Sequence, residues 1–126
     1  MALSEELPIY KATFSMLGMV VEKVKSFPRF YRYTVGEKMV NINLEMISLI
    51  YRANSNYDKL PLIIELCDRY HMLVMLFRLS VEQHLLTPAQ YARYAMQINI
   101  IGRQLTGWKQ HNNMSMLARK IYASCL

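Results

Sequence analysis

Glu65, Asp68 and His71 stand three residues apart in "ELCDRYH". On a helix that spacing puts all three on one face, where two carboxylates and an imidazole are a candidate metal-ligating set. A di-iron helical bundle, however, takes a Glu-x-x-His motif from each of two helices and single glutamates from two others. Here one Asp-x-x-His occurs, so we expect no metal and no other cofactor. Cys67 lies in the same apolar stretch and reads as a small buried hydrophobe rather than a nucleophile. The chain has no glycine-rich phosphate loop, no G-x-S-x-G elbow and no paired-cysteine site. No residue is assigned a catalytic role, and no enzyme is expected.

A second chemistry is more promising. "PRFYRYTVGEKM", residues 28–39, packs Arg29, Tyr31, Arg32 and Tyr33 into five positions and adds Lys38 shortly after. Cations interleaved with aromatic rings can grip an anion and stack on a base. The plainer alternative is a helix start dressed in solvated charge.

The elements that hold these residues follow from periodicity and caps. Pro8 suits a first helical turn. Ile9, Thr13, Met16, Val20 and Val24 then recur at spacings of three and four, predicting a helix over about 8–26. Pro28 disfavours helical geometry in the residue before it and closes that helix. "TVGE" has the form of a capping box, with the Thr34 hydroxyl accepting from the Glu37 amide. It predicts a second helix over 34–53, buried through Val35, Met39, Ile42, Met46 and Ile50. "ANSNYDKLP" breaks the pattern, and Pro61 opens a third helix over 61–84. "TPAQ" is a second capping box, with Thr87 as cap and Pro88 at the first helical position. The fourth helix follows over 88–111 through Tyr91, Ala95, Ile98, Ile101, Leu105 and Trp108, leaving a tail at 112–126. His84 and His111 then fall near helix C-terminal ends, where positive charge is favoured. No stretch alternates like a strand and the connections are short. The expectation is an all-α, antiparallel up-and-down four-helix bundle forming one domain over 1–126.

The third helix has more apolar surface than one core requires. Leu73, Val74, Phe77 and Val81 can face the bundle, while Met72, Met75, Leu76 and Leu79 reach round to other faces. In the fourth helix Ile100 adds to Ile98 and Ile101. Large exposed apolar patches mark association surfaces, so Met72, Met75, Leu76, Leu79 and Ile100 are candidate subunit contacts.

Charge is uneven along the chain. Lys and Arg number 15 against 9 Asp and Glu, a formal net charge of +6, and the last carboxylate side chain is Glu82. Beyond it come Arg93, Arg103, Lys109, Arg119 and Lys120. A local field of that sign attracts phosphates. A membrane surface is a poorer match, since neither a polybasic run nor a strongly basic amphipathic face occurs. No apolar run approaches the roughly 20 residues of a membrane span, and the acidic start "MALSEELPIYK" lacks the order of a signal peptide. Cys67 and Cys125 have neither disulfide-framework nor zinc spacing. These features predict a cytoplasmic protein.

"FPRFYRYTVGEKM" resembles the junction between the first two helices of small four-helix proteins related to those encoded in rRNA intervening sequences. The stretch from "LPLIIELCDRYHM" to "IIGRQLTGWKQ" resembles the second half of the accessory variability determinant (Avd) proteins of diversity-generating retroelements. That likeness is carried by Arg78, by Leu85-Leu86-Thr87-Pro88, and by the run from Ile101 to Trp108. Together the matching regions span about residues 8–110, and the tail "NNMSMLARKIYASCL" matches no pattern of the family. The resemblance implies a homo-oligomeric, pentameric barrel of bundles with a basic surface. Its implied partners are a retroelement reverse transcriptase and RNA and DNA bound with little sequence specificity, in support of mutagenic copying of a template RNA.

On that basis Arg29, Arg32, Lys38, Arg78, Arg93, Arg103 and Lys109 are the candidate contacts to nucleic acid or polymerase. Thr34 and Glu37 would cap the second helix, Phe27, Phe30 and Tyr33 would pack at the bundle end, and Tyr31 would be left to stack. Arg93 and Arg103 stand about 80° apart around the fourth helix, which argues against one strip holding both. The alternative function is an rRNA-intervening-sequence-type bundle with another nucleic-acid or protein-binding role.

Overall fold

The computed structural model describes residues 3–125, with side chains as far as residue 121; the thiol of Cys125 lies outside the described side chains. Among the described residues every regular element is helical and no strand occurs. A 3-10 turn at Ser4–Glu6 leads into α1 (Pro8–Val24). A single turn, α2 (Arg29–Tyr31), passes through a π-helical segment (Arg32–Gly36) into α3 (Glu37–Asn54). α4 (Leu60–Glu82) and α5 (Pro88–Cys125) complete four long helices. α1 packs on α3 and α5, and α4 packs on α3 and α5.

The stripes that define the helices form the core. Ile9, Thr13, Met16, Val20 and Val24 of α1 are buried, as are Met39, Ile42, Met46 and Ile50 of α3. Leu73 and Phe77 of α4 meet Ile98, Ile101 and Leu105 of α5 in the same cluster. Polar ties cross between neighbours. The Asn43 amide donates to the Thr13 carbonyl (3.0 Å), the Gln97 amide to the Ala12 carbonyl (2.8 Å), and Lys23 Nζ to Gln90 Oε1 (3.3 Å). The Tyr70 hydroxyl donates to the Ile98 carbonyl (3.0 Å), and the Phe77 ring lies 5.2 Å from that of Tyr94. Gly102 makes the Tyr70 contact possible, because a Cβ there would overlap the phenol.

The second helix starts earlier than the capping box predicts. Pro28 is extended (ψ 152°) and serves as the N-cap, so helical geometry begins at Arg29 and the Arg32 amide donates to the Pro28 carbonyl (2.9 Å). Thr34 is already inside the helix. Its hydroxyl turns back and donates to the Phe30 carbonyl (2.8 Å), and the box with Glu37 does not form. Gly36 closes the segment. A Cβ there would lie 2.6 Å from Val24 Cγ1 and 3.3 Å from Phe27 Cδ2, so its absence lets the helix seat against the end of α1.

The second box does form: the Gln90 amide donates to Thr87 Oγ1 (3.1 Å) and the Thr87 amide to Gln90 Oε1 (3.0 Å). Just before it, His84 adopts a left-handed conformation (φ 60°) and closes α4, with the Leu85 amide donating to the Ser80 carbonyl (2.8 Å). At the other end of the bundle Lys59 Nζ donates to the carbonyls of Ala53, Asn54 and Asn56, all within 3.0 Å, and so closes α3.

No separate tail follows residue 111. α5 continues through Cys125, so His111 sits in mid-helix rather than at an end. The extension is steadied where the Arg119 guanidinium lies 5.0 Å over the Tyr57 ring.

Candidate nucleic-acid interface

The end of the bundle where α1 and α4 finish and α3 and α5 begin carries the basic and aromatic residues. Only Phe27 of the three expected aromatics packs there, at 3% exposure; Phe30 and Tyr33 are 70% and 64% exposed. Tyr31, expected to be free to stack, is instead half-buried, and its hydroxyl donates to Gln83 Oε1 (3.0 Å) across the end of α4. The roles are exchanged because the helix begins at Arg29. That start rotates Tyr31 inward and turns Phe30 and Tyr33 out. The clue in the sequence was Pro28 itself, whose ring fixes φ near the helical value and so suits the edge of a helix rather than the middle of a connector.

Arg29, Arg32 and Lys38 are exposed on this junction, and the Arg32 guanidinium lies 5.9 Å over the Tyr33 ring. Arg78, on the last turns of α4, borders a surface depression with Val81, Glu82 and Tyr91, and Arg93 follows Tyr91 on α5. These five cations share one end of the molecule. Arg103 and Lys109 do not: at 1.5 Å per residue they lie roughly 15 and 24 Å further along α5 than Arg93. None of the seven forms an ion pair among the described residues. By contrast Lys25 pairs with Glu22 and Arg69 is held by Glu45 (2.8 Å) and Glu65 (3.8 Å). Arg93 and Arg103 are both exposed on α5, whose main packing partners among the described residues are α1 and α4.

Of the expected subunit contacts, Met72, Met75 and Ile100 are exposed, and Leu79 is half-buried against the core. Leu76 is not available. At 6% exposure it is part of the core, because α4 turns the Leu73–Leu76–Phe77 side inward. Met96, which periodicity did not single out, is 71% exposed on α5.

The metal-like trio of α4 does not converge. Glu65 is engaged with Arg69, and the described residues contain no group of three or more His, Cys, Asp or Glu placed to hold an ion. Burial pushes the Cys67 thiol up, with the Lys109 charge pulling the other way and Asp68 adding to the rise. Little thiolate is present there at neutral pH. Burial likewise raises the Tyr70 and Tyr94 phenols, the latter opposed by Arg93. No described helix is long and apolar enough to cross a membrane.

These features define a class, a small all-helical bundle with unpaired cations and exposed aromatics gathered at one end. A family model described as bAvd-like matches residues 8–112, from the first residue of α1 well into α5. The chain belongs to the bAvd-like family. No curated protein and no solved structure matches it.

Proposed function

We propose that this protein is an accessory factor of a diversity-generating retroelement. In this role it associates with the element's reverse transcriptase and binds RNA and DNA with little sequence specificity while template RNA is copied mutagenically. The observation that carries the proposal is the bAvd-like match over residues 8–112. The working form is an antiparallel up-and-down bundle assembled into a closed, pentameric ring in the cytoplasm. Support for the bundle direction comes from the contacts above, in which rising numbers on one helix meet falling numbers on its neighbour: 12 with 97 and 23 with 90, 70 with 98 and 77 with 94.

Binding centres on Arg29, Arg32, Lys38 and Arg78. Their charges have no carboxylate partner among the described residues, so a phosphate meets them without displacing one. A ring repeats each subunit's few contacts around an axis, which converts weak single contacts into avidity. Affinity for duplex DNA is expected to fall with salt at a log–log slope of about 0.9 per phosphate neutralised. Exchanging Arg29 and Arg32 together for Glu should flatten that slope and weaken binding to RNA and DNA alike. Salt-insensitive binding, or unchanged affinity in the double variant with its mass intact, would refute a basic-surface role and leave contact with the polymerase as the function.

A further inference from the structure

α4 and α5 lie side by side, joined on their inner faces by Tyr70–Ile98 and Phe77–Tyr94, and each turns another face to solvent. The outward face of α4 runs Asp68, Met72, Met75, Leu79, Glu82, at steps of four, three, four and three. That of α5 runs Ala89, Arg93, Met96, Ile100, Arg103 at the same steps. All ten residues are exposed except Leu79, which is half-buried. A repeat averaging 3.5 residues is the spacing that lets one helix lie along another.

The two faces are also opposite in charge. The α4 face carries acids at both ends around a methionine pair, and α5 carries arginines around Met96 and Ile100. No acidic residue occurs anywhere on α5. Laid antiparallel, the series match position by position. Arg103 falls opposite Asp68, Ile100 opposite Met72 and Met96 opposite Met75. Arg93 falls opposite Leu79, one turn from Glu82. None of Asp68, Glu82, Arg93 and Arg103 has an ion-pair partner among the described residues. Within one chain the faces cannot meet, since both point outward from helices already packed together.

We infer that the outward face of α4 is the docking surface for the outward face of α5 of a second copy of this chain. The contact joins two different surfaces, so it is head-to-tail, and repeated copies close into a ring if the rotation between them closes. The inference rests on the self-association proposed above and specifies its geometry. Exposed ion pairs contribute little by themselves. The methionines and Ile100 supply the buried apolar area, while the charges fix register and direction. Arg93 and Arg103 then belong to the subunit contact, and the surface left for phosphates is the end of the bundle at Arg29, Arg32, Lys38 and Arg78.

The test is the mass of the full chain by light scattering across a dilution series, with helicity followed in parallel. Asp68→Arg and Arg103→Asp are each expected to raise the midpoint of dissociation about tenfold or more, and the two combined to return it to within about threefold of the parent. Met96→Glu should leave single chains at concentrations where the parent is assembled. If the parent is oligomeric but the single reversals leave its midpoint unmoved, or the pair together is no better than the worse single, this pairing is wrong and the ring proposal survives on other surfaces. A parent chain that stays single at every concentration overturns both.

Discussion

Thr34-Val35-Gly36-Glu37 and Thr87-Pro88-Ala89-Gln90 share the spacing of a capping box, yet only the second builds one. The difference lies in where proline stands. Pro88 follows Thr87 directly, and its ring disfavours helical geometry in the preceding residue, which leaves the Thr87 hydroxyl free to accept from the Gln90 amide in the first turn. Nothing comparable follows Thr34. Its nearest proline is Pro28, six residues upstream, which has already started the helix at Arg29. By Thr34 the chain is helical, and the hydroxyl has only the Phe30 carbonyl within reach. The helix then widens into a π segment over Arg32–Gly36, a local widening of the kind found at functional positions. A threonine three residues ahead of Glu or Gln therefore marks a helix start only where something keeps that threonine extended.

The largest expected effect comes from attacking the junction that lacks the box. Gly36 there takes over the task of bringing helix and neighbour together, and a Cβ at that position falls within 2.6 Å of Val24 Cγ1. Gly36→Val is expected to destabilise the chain by about 2–3 kcal/mol through overpacking, read as a lower midpoint in urea. Gly18 is the control. It lies on exposed α1 with nothing within 4 Å of an added Cβ, and Gly18→Ala should stabilise by up to about 1 kcal/mol through helix propensity. Equal effects at the two glycines would mean that the close approach at Gly36 is absent in solution.

A smaller loss is expected at the junction where the box is intact. Thr87→Ala removes the acceptor for the Gln90 amide, while the return bond from the Thr87 amide to Gln90 Oε1 survives. Loss of such a cap costs about 1 kcal/mol, which for a chain of this size lowers Tm by roughly 3–6 °C. A shift below about 1 °C would show that Pro88 alone sets the start of α5.

The fold was legible wherever a stripe had one phase. Ile9 to Val24 and Met39 to Ile50 repeat without ambiguity, and those residues are buried. The run from Met72 to Phe77 has no such phase, because six consecutive apolar residues point in every direction around a helix. Leu76, expected on an outer face, therefore lies in the core. The extension of α5 was illegible for a different reason. The apolar stripe of α5 ends at Trp108, which predicts a stop near His111, yet no proline or glycine follows Gly107 to end the helix. The cations could be named from residue type alone. Their grouping could not, since it depends on which helix ends lie together and on which charges Glu22, Glu45 and Glu65 have already taken.

The smallest effect is the most discriminating. In Thr34→Ala the only hydrogen bond lost is the hydroxyl's bond back to Phe30, whose carbonyl stays near solvent on an exposed turn. Back-bonding of this kind tends to bend a helix and adds little stability. Alanine is also the better helix former by up to about 0.7 kcal/mol, so the two changes oppose each other. The variant should sit within about 0.5 kcal/mol of the parent, on either side of zero. Side by side, Thr87→Ala should lose Tm while Thr34→Ala holds it. A loss at Thr34 as large as that at Thr87 would mean the hydroxyl does cap the Glu37 amide. The second helix would then begin at Thr34, the π segment would not exist, and Phe30 and Tyr33 would return to the packed end of the bundle.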